Sequence, residues 1–282
     1  MAAGLTCRTM QRDEVALAVD WAAQEGWNPG LHDAHTFFAA DPHGFFGGFL
    51  DGAPVASISV VKYGGHFAFL GLYIVRPEFR GRGLGWALWQ HGMASAAGRQ
   101  VGLDGVVAQQ DNYRKSGFTL AWRNVRYQGV GGAPGEPDAR LLRLDAIPFA
   151  AVHAYDQPFF PAERSAFLKA WIAQPGAAAL GWMDHGVLQG YGVIRPCREG
   201  WKIGPLFADT EAIAERLFAS LRSHAGPGEP VFLDLPEPNA AAVGLAARHG
   251  MRHVFETARM VTGVPPAVPM DRLYGITTFE LG

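Results

Sequence analysis

A chain of 282 residues with 24 Lys and Arg, 26 Asp and Glu and a formal net charge of −2 has no basic field for nucleic acid or an anionic membrane as main partner. Its length exceeds the usual single domain, and 49% hydrophobic residues supply apolar mass for two cores. The start Met-Ala-Ala-Gly-Leu-Thr-Cys-Arg has no apolar leader, no apolar run approaches spanning length, and Cys7 and Cys197 have neither metal spacing nor a disulfide framework, so a metal-free cytoplasmic protein is expected.

Leu5 to Met10 reads as a short strand. Asp13 is placed to cap a helix to about Gly26, with Val15, Ala18, Val19 and Ala22 at helical spacing. Asn28-Pro-Gly is a turn, and Leu31 to Ala40 a second helix. Phe45–Leu50 and Val55–Val61 form a hairpin about Asp51-Gly-Ala-Pro54, and His66–Val75 continues the sheet. Then comes Arg76-Pro-Glu-Phe-Arg-Gly-Arg-Gly-Leu-Gly85, a glycine loop between strand and helix. The helix from Leu84 is apolar on two sides, Leu84, Ala87 and Leu88 on one and Trp86, Trp89 and Met93 on the other, which predicts cover on both. Gln100 to Val106 is the next strand.

A helix starting near Gly83 leaves its first N–H groups without intrahelical acceptors and places partial positive charge there, so an anion is stabilised. Gly81, Gly83 and Gly85 remove side chains that would hold a pyrophosphate away, while Arg80 and Arg82 add charge. The nucleoside-triphosphate loop pattern and the dinucleotide fingerprint are both absent. The order Arg80-x-x-Gly83-x-Gly85 after a strand end resembles the acyl-coenzyme A loop of the GCN5-related N-acetyltransferases. Tyr113-Arg-Lys-Ser-Gly-Phe118 is similar to that family's element after the fifth strand, where a Tyr four residues before Gly-Phe sits near the thioester sulfur.

The resemblance implies acetyl-coenzyme A as co-substrate, with its pyrophosphate at Gly81, Arg82, Gly83, Leu84, Gly85 and Trp86 and its thioester carbonyl near the N–H groups of Tyr73, Ile74 and Val75. It makes Tyr113 the acid that protonates the departing thiolate, a role suited to a phenol that titrates near ~10 when unperturbed. Family members often carry a Glu or His base on the fourth strand; Phe67 to Val75 offers neither. Asp104 is one candidate base, with an equally good structural reading because Asp234 repeats it. Glu25, Trp27, His32, Asp33 and His35 surround the Asn28-Pro-Gly turn and are expected to line an acceptor pocket, although each alone also suits a surface or capping role.

Gly131-Gly-Ala-Pro-Gly-Glu-Pro-Asp-Ala139 marks a linker between residues 1–130 and 140–282. The two parts are related. Gly117-Phe to Arg126-Tyr127 matches Gly250-Met to Arg259-Met260, Val101-Gly-Leu-Asp104 matches Val231-Phe-Leu-Asp234, and Leu50-Asp51 matches Met183-Asp184, all in the same order. The expected fold class is therefore α/β: a tandem repeat of the acetyltransferase fold, each half a mostly antiparallel sheet flanked by helices. The second half has no glycine from Pro205 to Ala225, begins that helix with acidic residues, and has Ala246 where the first has Tyr113. Only the first half is expected to bind coenzyme A and catalyse. Asn239-Ala-Ala resembles the polar helix start that many members place before the catalytic Tyr. Pro161 is expected in the first turn of a helix bearing Phe167, Leu168 and Trp171; Arg164 and Arg195 have an acceptor-binding reading and an interface one; Tyr274 to Leu281 alternates like a terminal strand.

Together these features imply transfer of an acyl group, acetyl first, to the amine of a small molecule by direct attack, in a protein of open oligomeric state. Two alternatives stay open: acetylation of a thiol-sugar amine, since such tandem arrangements also resemble mycothiol synthase, and a non-catalytic acyl-coenzyme A sensor whose second half binds a partner.

Overall fold

The protein is described by a computed structural model covering residues 4–133 and 137–282; the centre of the expected linker and the first three residues lie outside the described part. The first half runs β1 (Leu5–Thr9), α1 (Arg12–Gln24), α2 (Asp33–Ala40), β2 (Phe45–Leu50), β3 (Ala53–Tyr63), β4 (Phe67–Val75), α3 (Leu84–Ser95), β5 (Gln100–Val106), α4 (Gln110–Lys115) and β6 (Phe118–Val130). The second repeats this order from β7 (Leu141–Arg143) through α5 (Phe149–Asp156), α6 (Ser165–Ile172), β8 (Ala178–Asp184), β9 (Val187–Pro196), β10 (Trp201–Ala208), α7 (Glu211–Arg222), β11 (Pro230–Pro236), α8 (Ala240–Arg248) and β12 (Arg252–Thr262), and ends in β13 (Leu273–Gly275).

Local chemistry explains most boundaries. Both repeat hairpins turn on two residues with positive φ, Asp51-Gly52 and His185-Gly186, a turn whose twist matches that of the strands it joins. The cap of α1 is Gln11, two residues before Asp13: the Glu14 carboxylate accepts the Gln11 N–H at 2.7 Å, closing the first turn from there. Pro161 lies ahead of α6, which Arg164 precedes directly. The terminal alternation yields only the three-residue β13, because residues 276–282 leave the sheet to pack between the halves. The α3 helix is buried through Leu84 and Leu88 on one apolar side and Trp89 on the other, with Met93 packed beside it, while Trp86 is left 57% exposed.

The described strands form one sheet in the order β1-β2-β3-β4-β5-β12-β6-β11-β10-β9-β8-β7, with β13 beside β10. The last long strand of each half is exchanged: β12 pairs with β5 of the first half, and β6 with β11 of the second. The two exchanged strands pair with each other between them. Ala258 and Met260 thus enter the core under α3, and a further core joins Val15, Phe37 and Phe69 to Phe159, Phe167 and Trp171 across the halves.

Candidate active site

The site is built on a divergence of two strands. β4 and β5 pair in parallel only over Phe67–Leu70 and Gln100–Leu103, then separate. Leu72 has φ 45°, and the register with β3 slips beside it, which identifies a bulge in β4. Beyond it the Arg76 N–H bonds to the Val55 carbonyl at 3.0 Å. Amides alternate along a strand, so the N–H groups of Tyr73 and Val75 turn away from β3, toward the gap left by β5. A cavity of about 760 Å³ fills this gap.

At one end of the cavity stands α3. Gly83 precedes it with φ 76°, no side chain caps the helix, and the first bond back into the turn is from the Ala87 N–H to the Gly83 carbonyl at 3.2 Å. The amides before Ala87 are therefore available to an anion, and added Cβ atoms at Gly81 and Gly83 would meet nothing within 4 Å, so the approach is open. A Cβ at Gly85 would come within 2.7 Å of the Tyr73 hydroxyl, so that glycine sets the close packing of α3 on β4. The loop is open to an anion at the start of α3. Arg80 staples it, donating to the Val75 carbonyl at 2.8 Å and pairing with Glu25; Arg82 lies outside the cavity lining, 5.5 Å from the Phe79 ring.

Deeper in, Tyr73 meets Trp89 edge-on and Trp89 stacks on Tyr113, with ring centroids 5.3 and 5.8 Å apart. A Cβ at Gly105 would collide with the Tyr113 ring, so this glycine makes room for it. Burial, with the neighbouring Tyr73 adding, pushes the Tyr113 phenol up to about 12. It is a retained proton at neutral pH. Asp104 also borders the cavity, but its oxygens accept from Asn124 at 2.8 Å and from Arg259 at 2.9 and 2.6 Å. Burial raises its pKa against the pull of Arg259.

The residues expected around the acceptor divide. Glu25 and Trp27 line the cavity; His32, Asp33 and His35 do not. Asp33 is fully buried between the halves, accepting from Arg195 at 2.9 and 3.1 Å and from the Gly30 N–H at 2.7 Å. The turn carrying it docks on the β9–β10 hairpin: Lys202 donates to the Asn28 carbonyl at 2.8 Å, and the Leu31 N–H to that of Pro196 at 3.0 Å. Arg195 is thereby an interface residue, and Arg164 is bound to Asp156 and the Gly282 carbonyl. Sequence reasoning missed Trp89, Phe255, Thr257, Phe279 and Glu280 as cavity residues. Trp89, one turn past the cradle, carried a signal in its spacing from Gly85; the other four come from the second half.

The equivalent gap in that half is closed. β10 and β11 also part after a short parallel pairing, but β13 pairs into the space and the Ile276 N–H bonds the Asp234 carbonyl at 2.8 Å. Asn239 caps α8 and donates to the Leu273 carbonyl at 2.9 Å, holding the plug. Thr210 caps α7 where the first half has its open glycine loop, and Ala246 is buried in the core.

Comparison with known proteins agrees with this geometry. Residues 13–118 match the model of the acetyltransferase (GNAT) family and residues 152–275 that of an acetyltransferase (GNAT) domain. The chain is 30% identical over 277 residues to a holothin acyltransferase from Pseudoalteromonas sp. (strain SANK 73390), covering 98% of this chain and 94% of that protein. A candidate acetyltransferase from Pyrococcus horikoshii superposes with a TM-score of 0.84 at 23% identity, covering 99% and 96% of the two chains. A tandem GNAT protein from the clavulanic acid biosynthesis pathway gives a TM-score of 0.63 at 15% identity, covering 93% and 99%. With acetyltransferase-family matches in both halves and one relative aligned almost end to end, this chain belongs to the GCN5-related N-acetyltransferase superfamily, as a tandem member.

Proposed function

We propose that the chain transfers an acyl group, acetyl in the first instance, from coenzyme A to the primary amine of a small molecule in the cytoplasm, with the coenzyme site and Tyr113 in residues 1–130 and the acceptor end completed by the second half. The observation that carries this reading is the continuity of one cavity from the open start of α3 to Tyr113, set against the plugged gap between β10 and β11. Backbone donors at Tyr73 and Val75 are positioned to stabilise negative charge on a thioester oxygen. Tyr113 is positioned to protonate a leaving thiolate. Trp27, Phe255 and Phe279 give the acceptor end an aromatic lining, which suits a flat or apolar amine. The holothin acyltransferase likeness supplies one concrete acceptor to try.

The test is mass spectrometry of a primary-amine panel that includes holothin, incubated with acetyl-coenzyme A and the protein. A mass gain of one acetyl group on one class of acceptor is expected. Coenzyme A binding with no acylated product across the panel would leave the sensor reading in its place.

A further inference from the structure

The first half has no carboxylate or imidazole on β4, and Asp104 is committed to Arg259 and Asn124. The segment after β13 brings another carboxylate to the same place. Having closed the gap between β10 and β11, residues 276–282 cross to the first half and lie against β4 at Gly71, where a Cβ would collide with the Glu280 carbonyl. Glycine is required there because two backbones meet. Leu281 fixes the crossing by accepting a hydrogen bond at 3.2 Å from the Tyr63 hydroxyl. Gly71, Phe279 and Glu280 all line the cavity that holds Tyr113.

Glu280 differs from the other buried acids. Asp33, Asp104, Asp156 and Asp234 each accept two hydrogen bonds from one arginine: Arg195, Arg259, Arg164 and Arg126 respectively. Glu280 is only 3% exposed, yet among the described residues no cation lies within ion-pair distance of it. Its Oε2 accepts from the Thr278 hydroxyl, and its Oε1 has no hydrogen-bond partner among the described residues. Burial of a carboxylate without a paired cation is costly. A structural role would be better served by an arginine pair of the kind this chain builds four times over.

We propose that Glu280 takes the proton released by the acceptor amine, a catalytic carboxylate that the second half delivers into the cavity of the first. The inference rests on the acyltransferase reading above. As the amine nitrogen bonds to the thioester carbonyl carbon and the carbon–sulfur bond breaks, the nitrogen loses one proton to Glu280 and the sulfur gains one from Tyr113. The products are an amide and free coenzyme A; solvent then returns the proton from Glu280 to Tyr113. The retained second half acquires a purpose beyond support, since the plug that silences its own gap also positions this group.

The experiment compares Glu280→Gln, Glu280→Asp and Thr278→Val with the wild type, using acetyl-coenzyme A and an acceptor taken from the amine panel. The titratable and charged groups around Glu280 are Arg126 of β6 and Arg195 of β9, which sense its charge, together with Glu25, Tyr73, Arg80, Asp104, Tyr113 and Lys115 around the cavity. Glu280→Gln keeps an acceptor for Thr278 and should leave coenzyme A affinity intact by titration calorimetry. It should lower kcat/KM about 10² to 10⁴-fold and remove the rise of rate with pH on the acid side. Glu280→Asp should restore part of the rate. Thr278→Val removes a hydrogen bond to the charged carboxylate and so should move that acid limb to higher pH, a change a merely structural role would not produce. A Glu280→Gln rate within about threefold of wild type, or an unaltered pH profile, overturns the base assignment while leaving the acyltransferase reading standing. A wild type that binds coenzyme A and acylates no amine overturns both.

Discussion

Asp104 and Arg259 stand directly opposite each other on β5 and β12, and one guanidinium donates to both oxygens of one carboxylate across the boundary between the halves. Asp234 and Arg126 repeat the arrangement on β11 and β6. Each half thus contributes the acid of one pair and the base of the other. The environments differ: burial works to raise both carboxyls, and it prevails at Asp104, while at Asp234 Arg126, with Lys202 and Arg195 added, holds the group below its ordinary value.

Removing one partner of such a pair leaves an uncompensated buried charge. Arg259→Met is expected to cost about 3–5 kcal/mol of stability, whereas Arg259→Met combined with Asp104→Leu recovers most of the loss, because a well-packed apolar pair of similar volume is often neutral. Urea unfolding midpoints of the two variants check this. A single variant as stable as wild type would show that the pair holds nothing together.

The exchange also determines what truncation does. A fragment ending at Val130 lacks β12 beside β5 and both partners of β6, and leaves Asp104 without Arg259. Expressed alone it should be aggregated or unfolded by circular dichroism, and it should bind no coenzyme A. Co-expression with residues 131–282 should restore a soluble, binding-competent complex. A folded, monomeric 1–130 fragment that binds the cofactor would contradict the role given to the exchanged strands.

The glycine loop and the tyrosine element of the candidate site could be picked out because their signals are local. Arg80, Gly83 and Gly85 lie within six residues of one another, and Tyr113 precedes Gly117-Phe118 at fixed spacing. The internal repeat was legible too, including the Asp104 and Asp234 match. What the repeat could not convey is which partner each acid meets: the same spacing fits pairing within a half or across halves, and only the strand order settles it. Asp33 read as an acceptor residue because it neighbours Trp27; Arg195, 162 positions later, buries it instead. Tyr274 to Leu281 alternates like a strand, yet only Leu273–Gly275 form one beside β10 before the chain fills the gap between halves. Nothing local in Phe279-Glu280 announces that it reaches Gly71.

One coenzyme A should bind per chain, at the start of α3. Titration calorimetry is expected to give a stoichiometry near one, since β13 and the Thr210 cap close the second site. Gly83→Glu should abolish binding through bulk and charge at the anion site. Because Gly83 sits at φ 76°, Gly83→Asn serves as control: Asn tolerates the left-handed region, so this variant should fold and bind more weakly without losing the site. A stoichiometry of two, or undiminished binding by Gly83→Glu, refutes the assignment.

Tyr113→Phe isolates the proton from the ring. The ring stacks on Trp89 in the space left by Gly105, and neither contact needs the hydroxyl, so coenzyme A affinity should be nearly unchanged. Turnover should fall about 10² to 10⁴-fold if protonation of the leaving thiolate limits the rate. The pH dependence supplies a second check. Burial raises the phenol to about 12, and a general acid acts in its protonated form, so its contribution is complete below that value and lost as pH rises through it. The wild-type rate should therefore show no fall from Tyr113 across the neutral range, and the ratio of wild-type to Tyr113→Phe rates should stay level there, shrinking only in strong alkali. Full activity in the Phe variant, with single-turnover kinetics showing chemistry to be rate-limiting, would remove Tyr113 from the mechanism; a ratio that collapses near neutrality would mean that burial does not hold the proton.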